Sequence, residues 1–194
     1  MSILIINNDK NNMKPNKRSE LSIFIWRVTS IHIIVYFIAG ILALLVLNYK
    51  EQYVSGIMSS IMRPIDSPLV VLGPALQVFR GIIIAIVLFP FKDIIISKNG
   101  WVKLLLLILG LSYISTIGPV FGSFDGYIYT KVPLQYHLFS IPETLLYTSL
   151  FSFLLYLWYN KENKVWNIIT FILCSLIAIM NFLGYLSSIG LIKH

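Results

Sequence analysis

Five long apolar stretches alternate with short polar segments along the chain. They cover about residues 23–48, 73–91, 101–120, 142–160 and 165–190, called spans 1 to 5 below. An α-helix of about 20 apolar residues crosses the roughly 30 Å hydrocarbon core of a bilayer. The pattern therefore predicts an all-α fold, with five transmembrane helices in one bundle that forms a single membrane domain over residues 23–194.

The first 22 residues differ from the rest of the chain. After the short apolar start MSILII, the stretch NNDKNNMKPNKRSE (residues 7–20) is polar, which predicts a disordered cytoplasmic segment over residues 1–22. We do not expect a cleaved signal peptide, because MSILII is too short for an apolar signal core and precedes the basic residues. Met13 is a second candidate start.

Lysine and arginine are unevenly distributed between the two sides of the predicted bundle. Ten flank the start of span 1 and the loops after spans 2 and 4: Lys10, Lys14, Lys17, Arg18, Arg27, Lys92, Lys98, Lys103, Lys161 and Lys164. Four lie on the opposite side: Lys50, Arg63, Lys131 and Lys193. The positive-inside rule then predicts a multi-pass protein of the cell membrane with a cytoplasmic N-terminus and an external C-terminus. The compact loops favour a bacterial plasma membrane.

Composition agrees with this picture and removes several function classes. Hydrophobic residues make up 57% of the chain and charged residues 12%, about half the charged fraction of soluble proteins. The excess of lysine and arginine in the cytoplasmic segments explains the net charge of +7, so we expect no nucleic-acid partner. The single cysteine, Cys174, excludes an internal disulfide and a multi-cysteine metal site. No hydrolase, nucleotide-binding or metalloprotease motif occurs, so we expect no metal or cofactor and do not favour an enzyme.

Arg80 interrupts the most apolar part of span 2, LQVFRGIIIAIVLFPFK (residues 76–92). It lies eleven residues from Phe91, or about 16 Å along a helix, and therefore near the middle or outer part of the membrane. A central arginine costs roughly 2.5–3.5 kcal/mol on insertion, which the surrounding apolar residues offset. Gly73, Gln77 and Arg80 share one helical face, and we expect that face to point into the bundle.

Span 5 carries a stripe of small and polar residues at steps of three and four: Thr170, Cys174, Ala178, Asn181, Tyr185 and Ser188. Such a stripe favours close helix packing. In the alternative interpretation, Asn181 and Tyr185 line a polar site together with Gln77 and Arg80. His32 of span 1 is expected to hydrogen-bond between helices, and His137 is expected in the second outer loop.

Acidic residues are expected near the outer face, and one of them is the preferred partner of Arg80. Glu143 lies about 8 Å further out than Arg80 by helical rise, a gap that a long side chain partly spans. It is the first candidate ion-pair partner, and Asp125 is the second. The segment GSFDGYIYTKV (residues 122–132) predicts a short strand or hairpin, and Pro142 is expected at a helix start.

Three function classes remain. The favoured class is a membrane protein with an outward-facing polar crevice that binds a small or lipidic anion, as a transport component or an accessory protein. The second is an interaction, immunity or assembly factor whose polar residues serve packing alone. The third is an outer-leaflet enzyme acting on lipids or envelope precursors, with Asp125, His137 and Glu143 as acid–base groups. Membrane lipids are the expected partners, and the sequence leaves protein partners and oligomeric state open.

Overall fold

The computed structural model describes residues 17–47, 49–55, 58–161 and 163–192, and these residues form a helical bundle without a β-strand. The α-helices in chain order are α1 (Lys17–Val46), α2 (Tyr49–Val54), α3 (Pro68–Val71), α4 (Gly73–Leu88), α5 (Lys92–Ile96), α6 (Gly100–Leu109), α7 (Phe124–Tyr129), α8 (Leu134–Asn160) and α9 (Lys164–Ser188). Short 3₁₀ turns cover Met58–Ser60 and Phe89–Phe91, and a π-helical segment, Gly110–Ile114, continues α6. The predicted all-α class is confirmed.

Three of these helices, α1, α8 and α9, are long and apolar enough to cross a membrane. They contain 30, 27 and 25 residues, whereas α4 contains 16. Each predicted span coincides with a helical segment, although α4 and α6 are shorter than the thickness of the hydrocarbon core. Helix α1 begins at Lys17, before the predicted boundary at residue 23. Of the segment 1–22, for which disorder was predicted, residues 17–22 are helical and residues 1–16 lie outside the described residues.

The predicted end of span 3 at residue 120 is wrong, because the helix ends at Ile114. Two glycines explain the early end: Gly118 and Gly122 have φ values of +110° and +81°, in the left-handed region that favours glycine. Gly122 also lies directly against Tyr113 and Ser140, where a Cβ atom has no room. The chain therefore folds back over the bundle instead of extending span 3.

The strand or hairpin expected over residues 122–132 is also wrong, since this segment contains α7. The side chain of Ser123 caps the helix, because its Oγ accepts a hydrogen bond from the Gly126 amide at 3.0 Å. Asp125 in the first turn favours the same helix start. Local capping therefore outweighs the alternating β-branched and aromatic residues that suggested a strand.

Pro142 lies inside α8 and not at its start, since α8 begins eight residues earlier at Leu134. Proline lacks the amide hydrogen that would bond the preceding turn. Neighbouring hydroxyl groups bond carbonyls of this region: Ser140 donates to the His137 carbonyl and Thr144 donates to the Ser140 carbonyl, both at 2.8 Å. Helix α8 continues through Pro142, as helices in an apolar environment can.

Helix α1 is the centre of the bundle, and it packs against α4, α8 and α9, while α6 packs against α8. Helices α1 and α4 cross closely, because a Cβ atom added to Gly81 would come within 2.9 Å of Thr29 Cα. Small residues allow such a close approach between helices in membranes. On the other side of α1, Cys174 of α9 contacts the Ser30 carbonyl.

The end of the bundle where α1 and α9 begin and α8 ends, here called the basal end, has a dense apolar core. Phe24 of α1 contacts Phe89 and Tyr159, with ring centroids 5.6 and 5.9 Å apart. Trp158 is fully buried and stacks on Trp166. An ion pair between Glu20 and Lys92, 2.7 Å long, joins the start of α1 to the start of α5 at this same end.

Candidate functional site

A cavity of about 330 Å³ lies toward the opposite end of the bundle, here called the cavity end. Helices α1, α4, α6 and α8 contribute to its walls, together with α2 and the loop after α6. Most of its lining side chains are polar: Tyr36, Tyr53, Arg80, Ser112, Tyr113, Ser140, Glu143, Thr144, Tyr147 and Thr148. The cavity therefore places one cation, one carboxylate and eight hydroxyl groups around a single space.

Arg80 lines this cavity from α4, and its side chain is exposed. It is close enough to His32, Tyr36 and Tyr147 for its charge to act on all three groups. The face of α4 that was expected to point into the bundle is therefore divided: Gln77 points to α1, whereas Arg80 borders open space.

Glu143 lines the same cavity from α8. Partial burial raises the pKa of the Tyr53 phenol, and the negative charge of Glu143 raises this pKa further. The structure thus brings Arg80 and Glu143 to one cavity, while their direct pairing stays a prediction. Asp125, the second candidate partner, lies on α7 and is not among the described residues that line this cavity.

A chain of hydrogen bonds leads from the cavity wall into the bundle. The Tyr147 hydroxyl lies 2.6 Å from His32 Nδ1, and His32 Nε2 lies 3.1 Å from the Gln77 side-chain oxygen. Because an amide oxygen only accepts, Nε2 carries the proton and Tyr147 donates to Nδ1. The fully buried His32 thereby joins α1 to α8 and α4, which confirms its expected interhelical role. Gln77 serves this chain and does not line the cavity.

The two candidate residues of span 5 lie elsewhere. Asn181 is 7% exposed, and its side-chain amide donates to the Ile177 carbonyl at 2.6 Å. Tyr185 is half-buried one turn further along α9, next to Gly184, which packs on the Val71 side chain. Neither Asn181 nor Tyr185 is among the described residues that line the cavity. This placement agrees with the packing interpretation of the polar stripe.

His137 lies on the first turns of α8 and not in the outer loop where it was expected. It is 4% exposed, and its Nδ1 accepts a hydrogen bond from the Gly122 amide at 3.1 Å. His137 therefore holds the loop after α6 against α8. Of the three acid–base candidates, Asp125, His137 and Glu143, Glu143 alone is among the described residues that line the cavity.

The hydroxyl groups of α8 are the main feature that sequence reasoning missed. Ser140, Thr144 and Thr148 recur at steps of four, Tyr147 follows Thr144 by three, and all four line the cavity. The same periodicity that drew attention to span 5 is present here and marks one helical face. Ser140 alone lies before the predicted start of span 4 at residue 142, so the other three were available to the same reasoning.

Comparison with protein-family models, with curated protein sequences and with solved structures finds no match to this chain.

Proposed function

We propose that this chain is a multi-pass protein of the cell membrane whose cavity binds the anionic group of a small or lipidic ligand. Five spans cross the membrane in this proposal, with the N-terminus in the cytoplasm and the C-terminus outside. The three long apolar helices and the ten-to-four distribution of basic residues support this topology. The cavity end then faces outward, and the basal end faces the cytoplasm.

Arg80 is the observation that carries the ligand-binding proposal. Its guanidinium is a permanent cation with five hydrogen-bond donors in a planar fork that matches carboxylate or phosphate groups. The side chain is exposed and borders a cavity of suitable volume, in a helix that is otherwise apolar. An ionisable residue at such a depth is expensive to insert, which favours a functional role. The protein would act as a transport component or as an accessory to a larger complex.

A comparison of two arginine variants tests the binding proposal. We expect purified Arg80→Ala to lose bound anion or lipid that the wild type retains through mild detergent extraction, measured by native mass spectrometry. Arg63→Ala is the matched control, because Arg63 is also exposed on the same side but is not among the described cavity-lining residues. Retention equal to wild type in a folded Arg80→Ala protein would refute the proposal.

The topology has its own test. Single cysteines at Lys98 and Lys131, in a Cys174→Ser background, are placed on opposite sides of the membrane by the proposed topology. We expect an impermeant thiol reagent to label Lys131→Cys in intact cells, and Lys98→Cys only after permeabilisation. The reverse labelling pattern would contradict the orientation and leave the cavity facing the cytoplasm.

A further inference from the structure

Residues 115–132, here called the outer segment, connect the π-helical continuation of α6 to α8 and contain α7. Val120 and Phe121 of this segment line the cavity. Among its residues only Ser123 and Gly126 are buried, so no large apolar side chain of the segment is enclosed in the bundle. A region with few buried apolar contacts opens at a low cost in free energy. The outer segment is therefore a part of the cavity wall that packing holds weakly.

A single hydrogen bond joins the outer segment to α8 in the part of the chain that the structure describes. The Gly122 amide donates it to His137 Nδ1 at 3.1 Å. Gly122 has a φ of +81° and lies directly against Tyr113 and Ser140, so its backbone is at the surface of α8. His137 is therefore the residue through which α8 holds this wall of the cavity by hydrogen bonding.

His137 accepts this hydrogen bond only in its neutral form. Because Nδ1 accepts from the Gly122 amide, the ring hydrogen lies on Nε2. In the protonated form both ring nitrogens carry a hydrogen, and Nδ1 would face the amide as a second donor. His137 is 4% exposed, and its Nε2 has no hydrogen-bond partner among the described residues. The closed position of the outer segment is thus incompatible with a positive charge on this ring.

The surroundings of His137 offer this charge no compensation. The rings of Phe121 and Tyr127 lie near the imidazole, each with its centroid 6.2 Å away. Within the described residues, no carboxylate forms an ion pair with His137. The elements around His137 carry the titratable groups Tyr113, Asp125, Tyr127, Lys131, Tyr136 and Glu143. By residue type, histidine and the carboxylates are the groups of this set that change charge between about pH 4 and pH 8.

We propose that the outer segment is a pH-sensitive gate of the cavity, in which protonation of His137 releases Gly122 from α8 and moves Val120 and Phe121 out of the cavity wall. Gly118, with a φ of +110°, gives the backbone freedom for this movement. The open segment holds one more proton than the closed one, so a fall in pH favours opening. The ratio of open to closed segments then rises by up to about tenfold per pH unit in the range where histidine titrates.

The distance between two spin labels tests the gate without any ligand. The labels are attached to Tyr129→Cys on α7 and Leu145→Cys on α8, two exposed positions, in a Cys174→Ser background. We expect one distance at about pH 8 and a second distance whose share grows toward about pH 5, across the range of histidine titration. A wild type with the same single distance at every pH would overturn the gate.

Four variants identify the group that responds to pH. His137→Asn should keep the single distance throughout, because an amide oxygen accepts a hydrogen bond and does not titrate. His32→Asn is the matched histidine control, and it should respond as the wild type does. Asp125→Asn and Glu143→Gln should also respond, and they decide the question if His137→Asn does not fold. A normal response in His137→Asn, or a lost response in any other variant, would overturn the role of His137.

Retention of phosphatidylglycerol connects the gate to the proposed anion site, on which this part of the inference rests. Its phosphodiester stays ionised at both ends of the pH range, so the probe itself does not change. We expect the wild type to retain at least about tenfold less lipid at pH 5 than at pH 8 in native mass spectrometry, and His137→Asn to retain it equally. Two distances with equal retention at both pH values would overturn the control of binding. Two distances with no retention at either pH would refute the proposed function and support the gate.

Discussion

The two ends of the bundle each contain an arginine, and they surround it differently. At the basal end, Arg27 is 8% exposed, and its guanidinium lies 4.4 Å from the centre of the Tyr159 ring and 5.5 Å from that of Trp158. At the cavity end, Arg80 is exposed and borders open space. The first cation is packed against fixed aromatic rings, whereas the second leaves its donors accessible to an exchangeable partner.

Aromatic side chains show the same contrast. At the basal end, Phe24 and Trp158 are fully buried and fill the core with their rings. At the cavity end, tyrosines line a space instead of filling it, and the hydroxyl of Tyr147 is tied to a buried histidine. The aromatic side chains of the basal end therefore form a packed core, whereas those of the cavity end surround an open space, which is the site of ligand binding in the proposed function.

The largest effect on stability is expected when a buried ring is removed from the core of the basal end. We expect Phe24→Ala to lower the free energy of unfolding by about 3–5 kcal/mol, because a large buried ring leaves a cavity. The measurement is reversible unfolding in mixed micelles with increasing denaturing detergent. Phe171→Ala is the matched control, since Phe171 is 62% exposed on α9, and it should change stability far less. Equal losses in both variants would show that the basal core is not specially packed.

The next effect concerns the crossing of α1 and α4, which connects the two ends. Gly81→Ala should lower the free energy of unfolding by roughly 1–3 kcal/mol, because the added methyl group overlaps the backbone of Thr29. Gly40→Ala is the control, since no atom lies within 4 Å of its Cβ position, and it should be neutral or slightly stabilising. The same unfolding titration measures both. A neutral Gly81→Ala would mean that the helices separate easily at this point.

The long apolar runs predicted the all-helical class correctly, because such runs have few alternatives to helix. The errors lie where local backbone chemistry decides. Ser123 caps a helix that strand propensity did not suggest, and Pro142 is accommodated within α8. Gly118 and Gly122 end span 3 early. None of these outcomes depends on hydrophobic pattern, so the pattern could not reveal them.

The candidate site was predicted in part. Arg80 and Glu143 line one cavity, as their predicted depths suggested, but Gln77, Asn181 and Tyr185 do not. Depth along a helix follows from sequence position, whereas the direction of a side chain depends on how each helix is rotated against its neighbours. The sequence alone contains no such rotation, and so it could not separate the residues of the cavity from those of the interfaces.

Arg27 offers a smaller test at the basal end. We expect Arg27→Ala to lower the free energy of unfolding by about 2 kcal/mol. The substitution removes the cation–π contacts with two aromatic rings and the packing of the arginine stem. Unfolding in mixed micelles measures this loss, and binding of lipid at the cavity should persist under conditions where the protein is folded. A loss of lipid binding without a change in stability would contradict the division between the two ends.

The chain from Tyr147 through His32 to Gln77 lies between the two ends, and a double-mutant cycle measures its coupling. The double variant with His32→Leu and Gln77→Leu should lose about 1 kcal/mol less free energy of unfolding than the two single variants lose in sum. The reason is that each single change leaves one buried partner unsatisfied. The unfolding titration of the four proteins gives this difference. Additive losses would show that the hydrogen bond between His32 and Gln77 contributes little to the fold.

The smallest effect on stability is expected at Arg80, and it makes the comparison sharpest. Arg80→Ala should change the free energy of unfolding by no more than about 0.5 kcal/mol, because the side chain is exposed and borders open space. The same substitution at Arg27 should lower the free energy of unfolding several times more. Because the residue type is the same at both positions, the difference between the two variants reports the effect of their surroundings. Unfolding titrations of the wild type and both variants in parallel, each with and without an added anionic phospholipid, measure the difference. If added lipid stabilises the wild type but not Arg80→Ala, the arginine is maintained for its ligand; if Arg80→Ala unfolds as readily as Arg27→Ala without lipid, the arginine of the cavity end is part of the fold after all.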